Sequence, residues 1–408
     1  MKISGRHLLV LIAMCGLIAS GIGLVTNVSG LFFTPICEEF GILKGEASLM
    51  LTICNIALAV GGLIVPRVLS EKTLRPLLIV ATVALAASTA ALALCGSIMP
   101  MYALCVIRGL AAGLVTFVFV TTVLNKWFVA GIGLATSIAM GCSGIAGAVF
   151  SPAVNALIGS VGWRMGFVVL GVLTVVLNLP AILLLPSLEP ETSGLKALGA
   201  DEQVAAQDAP AQESRGQAIP INPTVFVAII GFALFTSAIT ALPQHFPGLA
   251  ESYALGAAVG ASMLSVCMVA NTVGKIGLGA LIDRVGTRIS VILYAALVAA
   301  GLVVLLITRT SSTLIVGAVL VGLSYALGTV GISMITRDAF GLANYGKTYP
   351  AMSLSGNIAN AVFSSVVGFM YDFTGGYTLT LVVFIALVAC VCAIVFYVYA
   401  HRDEAQPA

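Results

Sequence analysis

Apolar residues run through this chain in unbroken stretches of about 20 to 27 positions, separated by short polar breaks. A helix needs roughly 20 such residues, at about 1.5 Å each, to cross a bilayer. Twelve stretches qualify: 7–33, 46–66, 76–96, 100–123, 132–158, 164–186, 223–245, 254–277, 289–308, 312–335, 348–370 and 376–399. The pattern predicts an all-α membrane protein with 12 transmembrane helices. The longest break, residues 187–222, is rich in Ala, Gln, Glu and Pro and has no sustained apolar period. It divides the chain into an N-terminal six-helix bundle (1–186), a flexible solvated linker (187–222), a C-terminal six-helix bundle (223–400) and a short tail (401–408).

Composition agrees with the pattern. Hydrophobic residues make up 60% of the chain and charged residues 8%, against about a quarter charged in an ordinary soluble domain; mean hydropathy is +1.13. The first apolar stretch follows Lys2 and Arg6 but is too long for a secretory signal core, so it is expected to stay in the mature protein. Nine cysteines fall almost wholly inside apolar stretches without CxxC or Cys/His spacing, and are expected to act as small hydrophobes. A net charge of +2 gives no reason to expect a nucleic-acid partner. Basic residues fix the orientation. With both termini cytoplasmic, the outer loops hold only Lys44, Arg164 and Arg309, and the inner loops hold the other loop and terminal Lys and Arg residues. The expected location is the plasma membrane or bacterial inner membrane, multi-pass.

The loop after the second apolar stretch of the C-terminal half reads G-A-L-I-D-R-V-G-T-R, Gly279 to Arg288; the corresponding loop of the first half, P-R-V-L-S-E-K-T-L-R, keeps the basic residues and an acid but loses the glycines. With six plus six helices and a central linker, this G-x-x-x-D-R-x-G-x-R pattern resembles the major facilitator superfamily. Arg108-Gly109 with Gly113 and the small-residue run GLATSIAMGCSGIAGAVFSP resemble the superfamily's fourth and fifth helices, and Gly162-Trp163-Arg164 and Tyr371-Asp372-Phe373-Thr374-Gly375 are similar to its organic-anion branch, which holds monocarboxylate transporters and the oxalate:formate exchanger. The resemblance implies two bundles that rock about a midplane site. It also implies a cytoplasmic conformational clasp at Gly279, Asp283, Arg284, Gly286 and Arg288, where a glycine lets two helices approach.

Two basic residues, Arg108 and Lys275, lie deep in apolar stretches without an acidic companion there. A charge at the bilayer centre costs at least about 2.5–3.5 kcal/mol, so each needs a reason. Arg108 is open to two readings, a brace between helices or a second substrate cation. Lys275 lies about 12 Å above Asp283 at helical rise, a distance a lysine stem nearly spans by snorkelling. Asn271, one turn deeper on the same face, points instead to a polar cavity. N-T-V-G-K also resembles the eighth-helix stretch of monocarboxylate carriers, where the place of Lys275 is an arginine that holds the substrate carboxylate. Lysine is a compact point charge where arginine is a planar fork, so recognition is expected to be less directional. In animal carriers an aspartate commonly stands at the place of Asn271 and a lysine at that of Asn27; both are neutral here, and the second cation of the oxalate exchanger falls near Met352. A singly charged substrate fits this charge pattern best unless Arg108 supplies the second cation.

Asn27, Tyr325, Asn357 and Asn360 are the further substrate-binding candidates, with Asn357 and Asn360 spaced i and i+3 in the eleventh helix. His245, before Pro247 at a helix end, is expected to be solvated or interfacial. No phosphate-cradling loop, HExxH, CxxC or Ser/His/Asp set appears, so neither an enzyme nor a cofactor is expected. The expectation is a secondary active transporter, working as a monomer in the lipid bilayer, for a small organic anion such as a monocarboxylate, by proton symport or anion exchange. Two alternatives are an exporter of apolar or cationic compounds and a non-transporting membrane sensor. The exporter calls for a cavity acid, and none is visible. The sensor calls for a signalling module longer than the linker.

Overall fold

The computed structural model describes residues 5–128, 132–194, 196–198 and 221–402. Helices make up nearly all of it, and ten continuous helical runs among the described residues are long and apolar enough to cross a membrane. The α-helices longer than one turn are, in chain order, α1 (Gly5–Ile18), α2 (Phe33–Phe40), α3 (Lys44–Val68), α4 (Leu74–Ala91), α5 (Ile98–Val115), α6 (Phe117–Trp127), α7 (Ile132–Leu184), α8 (Pro223–Ile239), α9 (Phe246–Ser252), α10 (Ala257–Val285), α11 (Thr287–Ile307), α12 (Ser311–Gly322), α13 (Ile332–Thr374) and α14 (Thr378–Arg402). π-helical stretches at Ala19–Asn27 and Leu327–Gly331 continue α1 and precede α13. Such wide turns are rare and often sit at functional sites.

Two helical runs exceed a single crossing. The 53-residue α7 leaves helical geometry at Gly162 (φ 85, ψ 162), and the 43-residue α13 at Gly341 (φ 70, ψ 167). Side chains essentially never adopt that backbone region, so a glycine is required at each break.

The chain divides into two compact units: Met1–Phe32 with Ile53–Glu213, and Phe33–Thr52 with Ser214–Ala408. In the first, α1 and its π-helical extension pack on α7, and α4 packs on α5 and α7. The core of this unit includes Met14, Leu17, Leu78, Val115, Phe119 and Trp127. Gly109 lies flush against the Cys54 carbonyl, where a Cβ would collide. In the second unit α8 packs on α13 and α14, and α12 on α10 and α11.

The start of the linker departs from the solvated spacer expected from its composition. Residues 187–198 would be a polar stretch on their own, but Leu188 and Leu198 join the core of the first unit. Trp127 Nε1 donates to the Ser187 carbonyl at 3.2 Å, Leu188 N donates to the Glu71 carboxylate at 2.9 Å, and Leu198 N donates to the Trp127 carbonyl at 2.9 Å. An ion pair, Lys126 to Glu189 at 2.6 Å, lies beside them. Two buried leucines supply the apolar area and the neighbouring backbone groups find partners, which composition averaged over the whole segment hides. Residue 195 and residues 199–220 of the linker lie outside the described residues.

Candidate functional site

In the first unit Arg108 sits on α5, 3% exposed. Its Nη2 donates to the Leu24 carbonyl at 3.4 Å, and its Nε is buried without a hydrogen-bond partner. Leu24 belongs to the π-helical stretch, so the guanidinium meets the backbone where the first span departs from α geometry. Asn27 closes the same stretch. Its Nδ2 donates to the Ser143 carbonyl of α7 at 2.9 Å, which places this candidate in a helix-to-helix hydrogen bond. Thr26 and Asn55 are paired at 3.4 Å.

In the second unit Asn271 and Lys275 stand one turn apart on α10. Asn271 is 4% exposed and its Oδ1 has no hydrogen-bond partner. Lys275 is half-buried, and among the described residues it makes neither a hydrogen bond nor an ion pair. The described acids of this unit are engaged elsewhere or lie toward helix ends. Asp338 accepts from the Tyr399 hydroxyl at 2.7 Å, Asp372 accepts from backbone N–H groups, and Asp283 is exposed eight residues beyond Lys275. An ammonium in a membrane span with no protein counter-ion is costly, and it has its positive charge available for an anion.

A second polar row runs along the end of α8 and the turn after it. Thr240 accepts from Asn360 Nδ2 at 2.8 Å, and Gln244 hydrogen-bonds the Tyr325 hydroxyl. Asn360 and Tyr325 are thus tied to other side chains, whereas Asn357 is exposed. The structure gives the i, i+3 pair of asparagines two different environments. Gln244 escaped sequence reading because it lies in a turn of 3-10 helix at the end of an apolar span.

His245 is a correction. The histidine expected to be solvated is 3% exposed, with Nε2 at 2.8 Å from the Ser364 carbonyl and its ring 5.6 Å from that of Phe33 and 6.1 Å from that of Tyr377. Aromatic residues distant in sequence cover it, which helix-end position alone does not reveal.

At the loop between α10 and α11, Gly286 (φ 84, ψ 162) makes the turn that only glycine accepts. Asp283 and Arg284 are exposed and form no ion pair among the described residues, and Arg288 lies 5.1 Å from the Phe396 ring centroid. A Cβ at Gly279 would meet nothing within 4 Å, so the close helix approach expected there is not made in this structure. Of the first-half loop, Glu71 is the residue with a clear task, holding Leu188.

The model of the Major Facilitator Superfamily matches residues 10–306 and 246–408. Two crystal structures of a bacterial homologue of the human lysosomal transporter Spinster, inward-facing occupied and inward-facing unoccupied, align over 100% of both chains. Their TM-scores are 0.72 and 0.74, at 11% and 12% identity. A crystal structure of a mutant of the nucleoside transporter NupG aligns over 97% of this chain and 99% of that one, with a TM-score of 0.67 and 14% identity. Identities this low establish the fold and not the substrate. No curated protein sequence matches the chain. The family match extends over nearly all of the sequence, and the protein therefore belongs to the major facilitator superfamily, a family of membrane transporters.

Proposed function

We propose that this transporter moves a small organic anion, a monocarboxylate, by exposing its site alternately to the two sides of the membrane, as a proton symporter or an anion exchanger. The observation that carries the proposal is Lys275: half-buried in a span, it lacks an acidic partner among the described residues. The unpartnered Oδ1 of Asn271 one turn away supplies an acceptor for a donor on the substrate. Arg108, with its unpartnered Nε, is a further substrate-binding candidate. Asn27, Tyr325, Asn357 and Asn360 complete the candidate set. With Gly162 and Gly341 as turns between spans, the chain makes twelve crossings in two bundles, 1–186 and 223–400, with both termini cytoplasmic. It works as a monomer, and Gly279, Asp283, Arg284, Gly286 and Arg288 form a clasp in another state of the cycle.

Ligand-induced thermal stabilisation of the purified protein tests the proposal. A panel of short monocarboxylates, dicarboxylates, cationic drugs and nucleosides is compared on wild type and Lys275→Gln. Monocarboxylates are expected to raise the unfolding midpoint of wild type alone. Equal stabilisation of both proteins contradicts the role of Lys275, and stabilisation by nucleosides or cations alone contradicts the substrate class.

A further inference from the structure

His245 closes the short 3-10 turn Leu242–His245 that follows α8, and groups distant in sequence enclose it. Phe33 of α2 and Tyr377, just before α14, wall the ring. Ser364 of α13 presents its backbone carbonyl to Nε2 at 2.8 Å. A carbonyl only accepts, so Nε2 carries the hydrogen and Nδ1 of the neutral ring is a bare acceptor. Nδ1 makes no hydrogen bond among the described residues. The hydroxyl of Ser364 is also buried without a partner.

Few charges face this ring. Lys44 of α3 is the charged group that acts on it, and that ammonium lies 3.8 Å from the Tyr371 centroid and 5.8 Å from the Tyr377 centroid. Glu251, Asp372 and Cys37 act on Tyr377 instead, and both Asp372 oxygens accept backbone N–H groups of α3. The helix α10 also packs on the turn, but its charged residues, Lys275, Asp283 and Arg284, do not act on the ring; α12, packed there too, has no charged residue. Among the described residues, then, no carboxylate pairs with His245. A buried positive charge without a partner is costly. An anion that enters lowers that cost, and by reciprocity the bound proton favours the anion.

The ring also adjoins the polar row of candidate substrate residues. Gln244, next in the chain, hydrogen-bonds the Tyr325 hydroxyl, and Asn360, one turn from Ser364 on α13, donates to Thr240. All of these groups belong to one compact unit.

We propose that His245 is the proton-binding residue of the transport cycle, which makes the protein a proton symporter and not an exchanger of anions. Nδ1 takes one proton while the proposed extracellular side is open and releases it to the cytoplasm with the anion, and the ring returns to its neutral Nε2–H form. One proton and one monoanion cross together, so no net charge moves. Lys275 is the fixed cation and His245 the titrating one; this assignment rests on the anion reading of the site.

Two measurements on the full-length protein test it. His245→Gln keeps an N–H for the Ser364 carbonyl but does not titrate. In proteoliposomes, initial uptake of radiolabelled acetate, L-lactate and pyruvate is corrected for protein-free vesicles and compared with and without an inward proton gradient. A gradient of about one pH unit is expected to speed wild-type uptake of a panel member about fivefold or more, and uptake by His245→Gln less than about 1.5-fold. Wild-type uptake that ignores the gradient, or equal acceleration in both proteins, overturns the proposal. The second measurement uses wild type and no solute: deuterium exchange at the histidine C2 position, read by mass spectrometry, whose rate follows ring protonation. The rate at His245 is expected to trace an imidazole titration between about pH 4 and pH 8, and a flat rate across that range overturns the proposal. Absence of uptake for every panel member contradicts the anion reading, and the deuteration curve then decides the proton site alone.

Discussion

Arg108 offers its Nη2 to the carbonyl of Leu24 at 3.4 Å and leaves its Nε buried without a partner. A guanidinium so incompletely satisfied is a poor brace, because one long bond to a neutral carbonyl does not offset the removal of a full charge from water. Arg108→Met, similar in length and apolar, is therefore expected to leave the thermal unfolding midpoint in detergent unchanged or raise it, by up to about 1 kcal/mol of stability. Transport is expected to fall by more than about tenfold. A lowered midpoint with transport retained would make the residue a structural brace.

Asn360 and Thr240 link α13 to the end of α8 through one side-chain hydrogen bond of 2.8 Å. Such bonds inside membrane proteins average about 0.6 kcal/mol and reach about 1.7 kcal/mol. A double-mutant cycle with Asn360→Ala and Thr240→Val, read by unfolding equilibrium in detergent, is expected to give a coupling energy in that range. Additive single effects would show that the two side chains do not interact.

The docked start of the linker makes a contrast between two acids. Glu71 accepts the Leu188 N–H, a backbone donor in a part-buried setting, while Glu189 pairs with Lys126 at an exposed position. Loss of a hydrogen bond to a charged acceptor costs about 1.5–3 kcal/mol, whereas an exposed ion pair contributes about 0–1 kcal/mol. Limited trypsin cleavage after Lys196 is expected to quicken by about an order of magnitude in Glu71→Ala and by less than about fivefold in Glu189→Ala. The reverse ranking would place the anchor at the ion pair.

Gly286 turns the chain between α10 and α11 at φ 84, ψ 162. A β-carbon there costs about 1–3 kcal/mol of strain. Gly286→Ala is expected to lower the unfolding midpoint, while Gly279→Ala, whose Cβ meets open space, leaves it unchanged. Equal effects would contradict the assignment of the strain to the turn.

The spans were legible in the sequence because lipid demands a uniformly apolar surface, and Lys275 and Asn271 were legible because polar groups are expensive there. The glycine turns at Gly162 and Gly341 emerged only with the backbone. Other features depend on partners far away in sequence. The Asp372 carboxylate reaches Lys44 across 328 positions, and His245 is covered by Phe33 and Tyr377. Periodicity carries no record of either. The π-helical stretches were equally hidden, since an i to i+5 turn leaves no apolar period of its own in a run that is apolar throughout. Leu188 and Leu198 are a visible signal, apolar residues that an average over the polar segment hides.

The central claim is that Lys275 carries the charge that recognises the substrate. Uptake of radiolabelled short monocarboxylates into proteoliposomes by wild type, Lys275→Arg and Lys275→Gln tests it most directly. Wild type is expected to transport a member of the panel, Lys275→Arg to retain part of that flux because the charge persists in a different geometry, and Lys275→Gln to lose more than about 90% of it. Undiminished anion flux through the glutamine variant would contradict the account.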